Sequence, residues 1–296
     1  MMMMMICWSH VTHGFMVSIT ELEPLDVWLN ILRHQHDAKW SENVPELHVL
    51  LAMKWMDDGT PVIGGGGAAE YYRSNNCGLI TYLVVHKSGR GTGLARILVE
   101  HCVEILDTNA RSRGMLAGCN SVFLETNAAE KVTMQQDVMD PRMRHVIYHK
   151  IGFRLLDFAY VMPPLGQGQS KMDILLLTVY ITNHIPKNEY DDRYYLPAVL
   201  LQRFIKGQWA GAIAKKYIGP ESMQDNDYLR MLQQTEVREK VPLFDLPWGS
   251  GKPWIVVDLW EDLDEDLMVT FYEDYLSTKV DKNGALFFFS LCFYLS

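Results

Sequence analysis

Residues 84–98 read VVHKSGRGTGLARIL, an apolar strand end that runs through a glycine-rich turn straight into a helix. The first N–H groups of a helix have no internal partners, and the helix dipole adds partial positive charge there, so a turn of this kind offers a seat to an anion. Gly91 and Gly93 let the backbone approach a phosphate closely, Ala95 keeps the next helical position small, and Arg90 adds a formal charge. Spacing separates this turn from two other phosphate motifs. A Walker loop ends in Gly-Lys-Ser/Thr, and the chain has no such ending. A dinucleotide fingerprint starting at Gly89 needs a third glycine where Leu94 stands, which excludes a nicotinamide oxidoreductase on this turn.

Working outward, three strand-like stretches precede the turn: LHVLLAMKW, VIGGGGAAEYY and CGLITYLVVH. The first two are separated by Asp58-Gly59 and the last two by Ser74, Asn75 and Asn76, which predicts an antiparallel meander. From Thr92 the period changes from two to 3.6. Leu94, Leu98, Cys102 and Ile105 share one face while Arg96, Glu100 and Glu104 lie elsewhere, the pattern of an amphipathic helix. SVFLE returns to strand character, and the polar NAAEKVTMQQDVM follows it. Asp140-Pro141 then opens a helix in cap-then-proline order, and GFRLLDFAYVM and MDILLLTVYIT complete the series. Upstream, Leu22, Leu25, Leu29 and Leu32 predict a helix, after an unpatterned segment over 1–20. The expectation is an α/β (α+β) domain over 21–186, with a mixed, mostly antiparallel sheet flanked by helices.

Beyond Pro186, PAVLLQRFIKGQWAGAIAKKY and NDYLRMLQQTEV predict helices, and VPLFDLPWGSGKPW reads as a Pro/Gly-rich connector, giving a helical extension over 187–252. The tail over 253–296 begins with the strand-like WIVVDL and continues as an acidic amphipathic helix carrying Leu263, Leu267 and Phe271. Its acidic run Glu261, Asp262, Asp264, Glu265 and Asp266 lacks the spacing of an EF-hand loop, so no metal is expected.

A net charge of -9 provides no basic field for a phosphate backbone, which argues against nucleic acid as a partner. The cysteines Cys7, Cys77, Cys102, Cys119 and Cys292 show no zinc-binding spacing and read as reduced, buried thiols. The start of the chain lacks the pattern of a secretory leader, so a cytoplasmic location is expected. The apolar GALFFFSLCFYLS at the end is shorter than the roughly 20 residues of a membrane-spanning helix, so no membrane association is expected.

Arg90-Gly91-Thr92-Gly93-Leu94-Ala95 resembles the R/Q-x-x-G-x-G/A signature of the GNAT superfamily, and Tyr148-His149-Lys150-Ile151-Gly152-Phe153 resembles its Y-x-K-x-G-F segment. The order of strands and helices also fits, so the resemblance runs from about Leu47 to Ile181. It implies an N-acyltransferase that takes acetyl-CoA or another short acyl-CoA as co-substrate. The turn from Arg90 through Gly91, Thr92, Gly93, Leu94 and Ala95 to Arg96 would then hold the pyrophosphate, and the backbone of Leu83, Val84 and Val85 would pair with the pantetheine arm and acyl carbonyl. Tyr148 would protonate the departing thiolate.

Two residues at strand ends are candidates for the base, Glu125 ahead of His86. The acceptor stays open among a small-molecule amine, a peptide N-terminus and a protein lysine, as does a homodimer. The long stretch from Asn127 to Met139 is a candidate substrate-binding element, and Tyr160-Val161-Met162-Pro163-Pro164-Leu165 shapes an acceptor mouth or ends a strand. The tail from WIVVDL onward is similar to a family N-terminus, either a second truncated domain or a permuted first strand. The competing functional reading is a non-catalytic acyl-CoA-binding or interaction module.

Overall fold

The computed structural model describes residues 23–247, except 57–58, 134–136, 138, 189–190 and 192, together with 287–290. Helix α1 (Leu25–His34) buries Trp28 and Ile31. It leads to the meander β1 (Glu46–Trp55), β2 (Pro61–Tyr72) and β3 (Cys77–Val85). The first turn closes through Gly59 at φ 79°, a left-handed conformation natural to glycine. Helix α2 (Leu94–Ser112) then carries the chain across to β4 (Val122–Asn127), which lies parallel to β3. Helix α3 (Pro141–Ile151) starts as its sequence predicts, with the Asp140 side chain accepting from the Arg142 N–H and Pro141 in the first turn. Strands β5 (Phe153–Leu156) and β6 (Leu175–Tyr180) follow.

The sheet runs β7-β8-β5-β6-β4-β3-β2-β1-β9, and among its described pairings β3–β4 is the parallel one. Alternation along the strands feeds two cores. Ile80, Val122 and Leu124 join Leu94, Leu98, Cys102, Leu106 and Tyr148 under α2 and α3. Leu79, Phe123, Leu177 and Val179 form the opposite core. The four consecutive glycines of β2 let α2 settle onto the sheet. A Cβ on Gly65 would stand 2.7 Å from the Val84 carbonyl oxygen and 3.3 Å from Leu94 and Leu98 side-chain carbons.

The stretch after residue 187 is built onto this same sheet. Strand β7 (Tyr195–Pro197) leads directly into α4 (Ala198–Ala214), and α5 (Asn226–Glu236) leads to β8 (Lys240–Phe244). The reading of VPLF as connector is therefore corrected. It forms β8, pairing with β5 and β7, because Val241 and Leu243 alternate into the core that α4 and α5 cover. The predicted strand GFRLLDFAYVM is regular only over Phe153–Leu156, with an isolated bridge from Met162 to Met172. Phe204 of α4 stacks on Phe123 with ring centroids 4.1 Å apart, so the extension shares the core of the central strands. Strand β9 (Phe287–Ser290) pairs antiparallel with β1. The expectations for residues 1–20, WIVVDL and the acidic helix after it lie outside the described residues.

Candidate active site

The parallel neighbours β3 and β4 pair only through Gly78↔Val122, Leu79↔Phe123 and Ile80↔Leu124. Beyond that point each is held on its outer side alone: β3 pairs with β2 as far as Val85, and β4 pairs with β6 as far as Asn127. A gap opens between them. The β2–β3 register shifts between Ala68 and Ala69, which leaves Thr81 as the extra residue at the parting. Such a bulge bends a strand away from its neighbour. The Val84 carbonyl lies against Gly65 and the His86 N–H donates to the Gly64 oxygen at 2.8 Å. By the alternation of strand hydrogen bonding, Leu83 and Val85 turn their N–H and C=O groups to the gap.

The glycine turn stands at the open end of this gap. Gly91 and Gly93 have φ of 76° and 81°, conformations in which a side chain is strained. The Thr92 hydroxyl donates to the Gly89 oxygen at 2.7 Å and closes the turn. No side chain caps α2, and its first turn carries no acidic residue, so its leading N–H groups remain available to an anion. A Cβ on Gly93 would meet nothing within 4 Å, so the space over the turn is open. The side chains of the turn divide the work. Leu94 is buried under the sheet, Arg90 is exposed, and Arg96 donates to the carbonyls of Lys150 and Ile151. Arg96 thus ties the start of α2 to the end of α3, leaving its backbone N–H as the part that faces outward.

That tie positions Tyr148, one turn back on α3. Its ring packs on Phe153 at 5.8 Å, and burial raises its phenol above the ordinary value. Among the described residues no partner holds its hydroxyl. Tyr148 belongs to the core under α2, together with Leu124. Glu125, the next residue on β4, points to the opposite face, so the two sequence candidates flank the gap from its two sides. His86 lies exposed after β3.

Glu125 is half-buried. Its carboxylate accepts from the Tyr160 hydroxyl and, at 2.9 Å, from the Gln208 amide of α4. Burial pushes it up to about 7, against the pull of these two donors and with help from the negative charges of Glu70 and Glu23. Beside it lies a buried ion network. Lys215, just past α4, donates to Glu23 at 2.7 Å and to Glu70 of β2, while Tyr72 donates to Glu70 and the Trp28 indole to Glu23, each at 2.7 Å. Burial disfavours the charged form of Lys215, yet the two carboxylates hold it above its ordinary value.

Sequence reasoning missed Gln208, Glu70 and Lys215, and singled out Tyr160 only as the start of a proline-broken segment. The available signal was a lone polar residue within an apolar pattern: Glu70 in GGAAEYY and Gln208 in FIKGQWAG. The polar stretch after β4 is pinned at Asp137, which accepts from Asn127 at 2.7 Å and from Arg144 at 3.0 Å. Among the described residues no group of three or more His, Cys, Asp or Glu is placed to hold a metal, and no helix is long and apolar enough to cross a membrane.

Residues 16–132 match the model of the Acetyltransferase (GNAT) family. The match takes in β1 to β4, α2 and the glycine turn. Among solved structures the chain is similar to nourseothricin acetyltransferase, at 22% identity over 43% of this chain and 61% of that one, with a TM-score of 0.27. It is also similar to the ribosomal-protein-S18-alanine N-acetyltransferase from Escherichia coli, at 15% identity over 57% of this chain and 96% of that one, with a TM-score of 0.29. Among curated proteins none matches the sequence.

Proposed function

We propose that the protein transfers an acetyl or other short acyl group from acyl-CoA to a primary amine by direct attack of the amine on the thioester. The observation that carries this reading is the gap between β3 and β4, with the glycine turn at its end and Tyr148 and Glu125 on its two faces. The pyrophosphate sits on the N–H groups that open α2, where Gly91 and Gly93 leave room, and Arg90 adds charge at the rim. The pantetheine arm lies in the gap as an added strand, bonded by the main-chain groups of Leu83 and Val85. Its carbonyl is held by the same edge, so the thioester is presented between the two faces.

The acceptor approaches from the α4 face. Glu125, as carboxylate, takes a proton from the incoming ammonium, and the neutral nitrogen attacks the thioester carbon. Collapse of the tetrahedral adduct forms the amide and breaks the C–S bond. Tyr148 donates its hydroxyl proton to the departing thiolate on the α3 face, the nitrogen's surplus proton restores the phenol by way of solvent, and Glu125 gives up the proton it took to solvent. The reaction consumes one ammonium and one thioester and yields one amide, one thiol and one proton.

The test is a thermal-shift titration with acetyl-CoA, free CoA and NAD on the native chain and on Arg90→Glu. A ligand present at 100 times its Kd adds about 2.7 kcal/mol. Stabilisation by both CoA species, absent with NAD and diminished in Arg90→Glu, is the expected result. A folded sample that acetyl-CoA does not stabilise removes the reading. Thiol release in a screen of amines then separates turnover from binding alone.

A further inference from the structure

Glu125 is held by two residues that lie beyond the family-matched region, and their geometry constrains its proton. Glu125 Oε1 accepts from Gln208 Nε2 at 2.9 Å and from the Tyr160 hydroxyl, and that same hydroxyl lies 2.8 Å from Gln208 Oε1. The contacts close a ring of three side chains, and each contact needs one hydrogen between its two heavy atoms. Gln208 supplies one through its amide and Tyr160 supplies one through its hydroxyl. The remaining hydrogen can come only from the Glu125 carboxyl, donating to the Tyr160 oxygen while Tyr160 donates to Gln208 Oε1. With Glu125 ionised, Tyr160 turns its proton to the carboxylate. The Tyr160 oxygen and Gln208 Oε1 are then left with no hydrogen between them, while the carboxylate keeps both donors, which favour its charged form against burial.

The charged groups around the ring act in the opposite sense, against ionisation. Glu70 of β2 and Glu23, ahead of α1, bear negative charge toward Glu125, and Lys215 is engaged by both of them. The remaining titratable neighbours are the phenols of Tyr72 on β2 and Tyr82 on β3, both raised above the ordinary value by burial and bearing no positive charge. The Glu125 side chain nevertheless keeps some exposure at the parting of the strands, so a proton can leave and a ligand can reach it.

We propose that Tyr160 and Gln208 are positioning residues for acyl transfer, which aim Glu125 Oε1 at the gap as the acceptor's proton-binding group and supply two donors to the carboxylate that receives the acceptor's proton. The proposal rests on the N-acyltransferase reading above. An ordinary solvated carboxylate is a poor match for an ammonium, and a base whose affinity for a proton lies near the working pH serves better. The protons balance: the resting proton of Glu125 leaves to solvent through its exposed side, and the carboxylate then receives one from the ammonium, giving the acid and a neutral amine.

The test uses the full chain as wild type, Tyr160→Phe and Gln208→Met, each close in size to the native residue. Both variants remove a donor to the carboxylate, so each moves the acid limb of the kcat/KM profile upward by about one pH unit or more, with the KM for acetyl-CoA unchanged. A second readout needs no acceptor. Infrared difference spectra of wild type against Glu125→Gln follow the carbonyl band of the protonated carboxyl, expected to titrate near pH 7 in the wild type and higher in both variants. A limb and a band that stay in place in folded variants make the ring mere packing and overturn the proposal. A wild-type band that titrates in the ordinary carboxylate range overturns it without any variant. Absence of stabilisation by acetyl-CoA removes the acyl-transfer reading itself, and the catalytic meaning of the ring goes with it whatever the band does.

Discussion

The two faces of the β3–β4 gap are built by different means. On the α2 face the proposed donor contacts are main-chain groups within one continuous stretch, residues 83–96, and glycine matters there because a side chain would strain or block the turn. On the α4 face the contacts are side chains gathered from distant segments: Glu125 meets Tyr160 35 residues away and Gln208 83 residues away, and Lys215 reaches Glu23 across 192. On the proposed function the first arrangement would recognise what any acyl-CoA presents, a pyrophosphate and an amide-bearing arm. The second would select by charge and proton, the properties in which acceptors differ. The carboxylates of the second face lie within the family-matched region, residues 16–132, while the side chains that hold them, Tyr160, Gln208 and Lys215, come from the segments after it.

The sharpest way to break this contrast is to remove the cation that joins the extension to the central sheet. Lys215 is 6% exposed between two carboxylates that are each 3% exposed. Lys215→Met leaves Glu23 and Glu70 buried without their partner, a change worth about 3–5 kcal/mol. Urea unfolding at pH 7 is expected to show that loss, and a smaller one at pH 5, where Glu70, raised by burial, more readily takes up a proton. An unchanged midpoint would mean that the extension docks through its apolar contacts alone. Next in size is Tyr148→Phe, expected to lower kcat about 10²-fold while leaving acetyl-CoA stabilisation of the fold intact. A rate unaffected by the change would assign the thiolate's proton to solvent.

How far the sequence could be read follows the same division. The meander, the amphipathic helix with Leu94, Leu98 and Cys102 inward, and the Asp140-Pro141 helix start rest on local periodicity and local capping, and each stands where its pattern places it. Strand β8 was hidden because Pro242 and the Pro/Gly run after it look like a connector. A proline is tolerated at an edge or short strand where its missing N–H costs little, and Val241 and Leu243 still alternate inward. Glu125 could be named as a strand-end carboxylate, but its partners could not. Gln208 lies on a helix buried on more than one side, where hydrophobic periodicity gives no direction to a single polar residue.

The proton on Glu125 gives a stability signature of opposite sign to the usual acidic residue. Its folded value is raised to about 7 from an ordinary 4.5, so the stability it contributes is present below about pH 4.5 and is lost as the pH rises toward and through 7. Relative to Glu125→Gln, the wild type is expected to lose stability at up to about 1.4 kcal/mol per pH unit in that window. Parallel melting curves of the two proteins from pH 4.5 to 8 measure it. Curves that stay equally spaced would place the carboxyl's titration in the ordinary range and return Glu125 to the status of a solvated strand end.

The smallest expected effect tests the α2 face, where geometry rather than charge is at issue. Gly93 has φ 81°, and a Cβ there finds open space, so Gly93→Ala strains the backbone without a collision inside the protein. The strain costs about 1–2 kcal/mol. In the free protein that is the whole effect. In the presence of acetyl-CoA a second one is added, because the methyl group would stand in the space the pyrophosphate needs, and the stabilisation by ligand should shrink beyond what the strain accounts for. Comparing melting temperatures with and without acetyl-CoA separates the two. Equal shifts in both conditions would show that the glycine serves the turn alone, and the anion seat would then have to be sought at Gly91, whose φ of 76° is the other left-handed position of the turn.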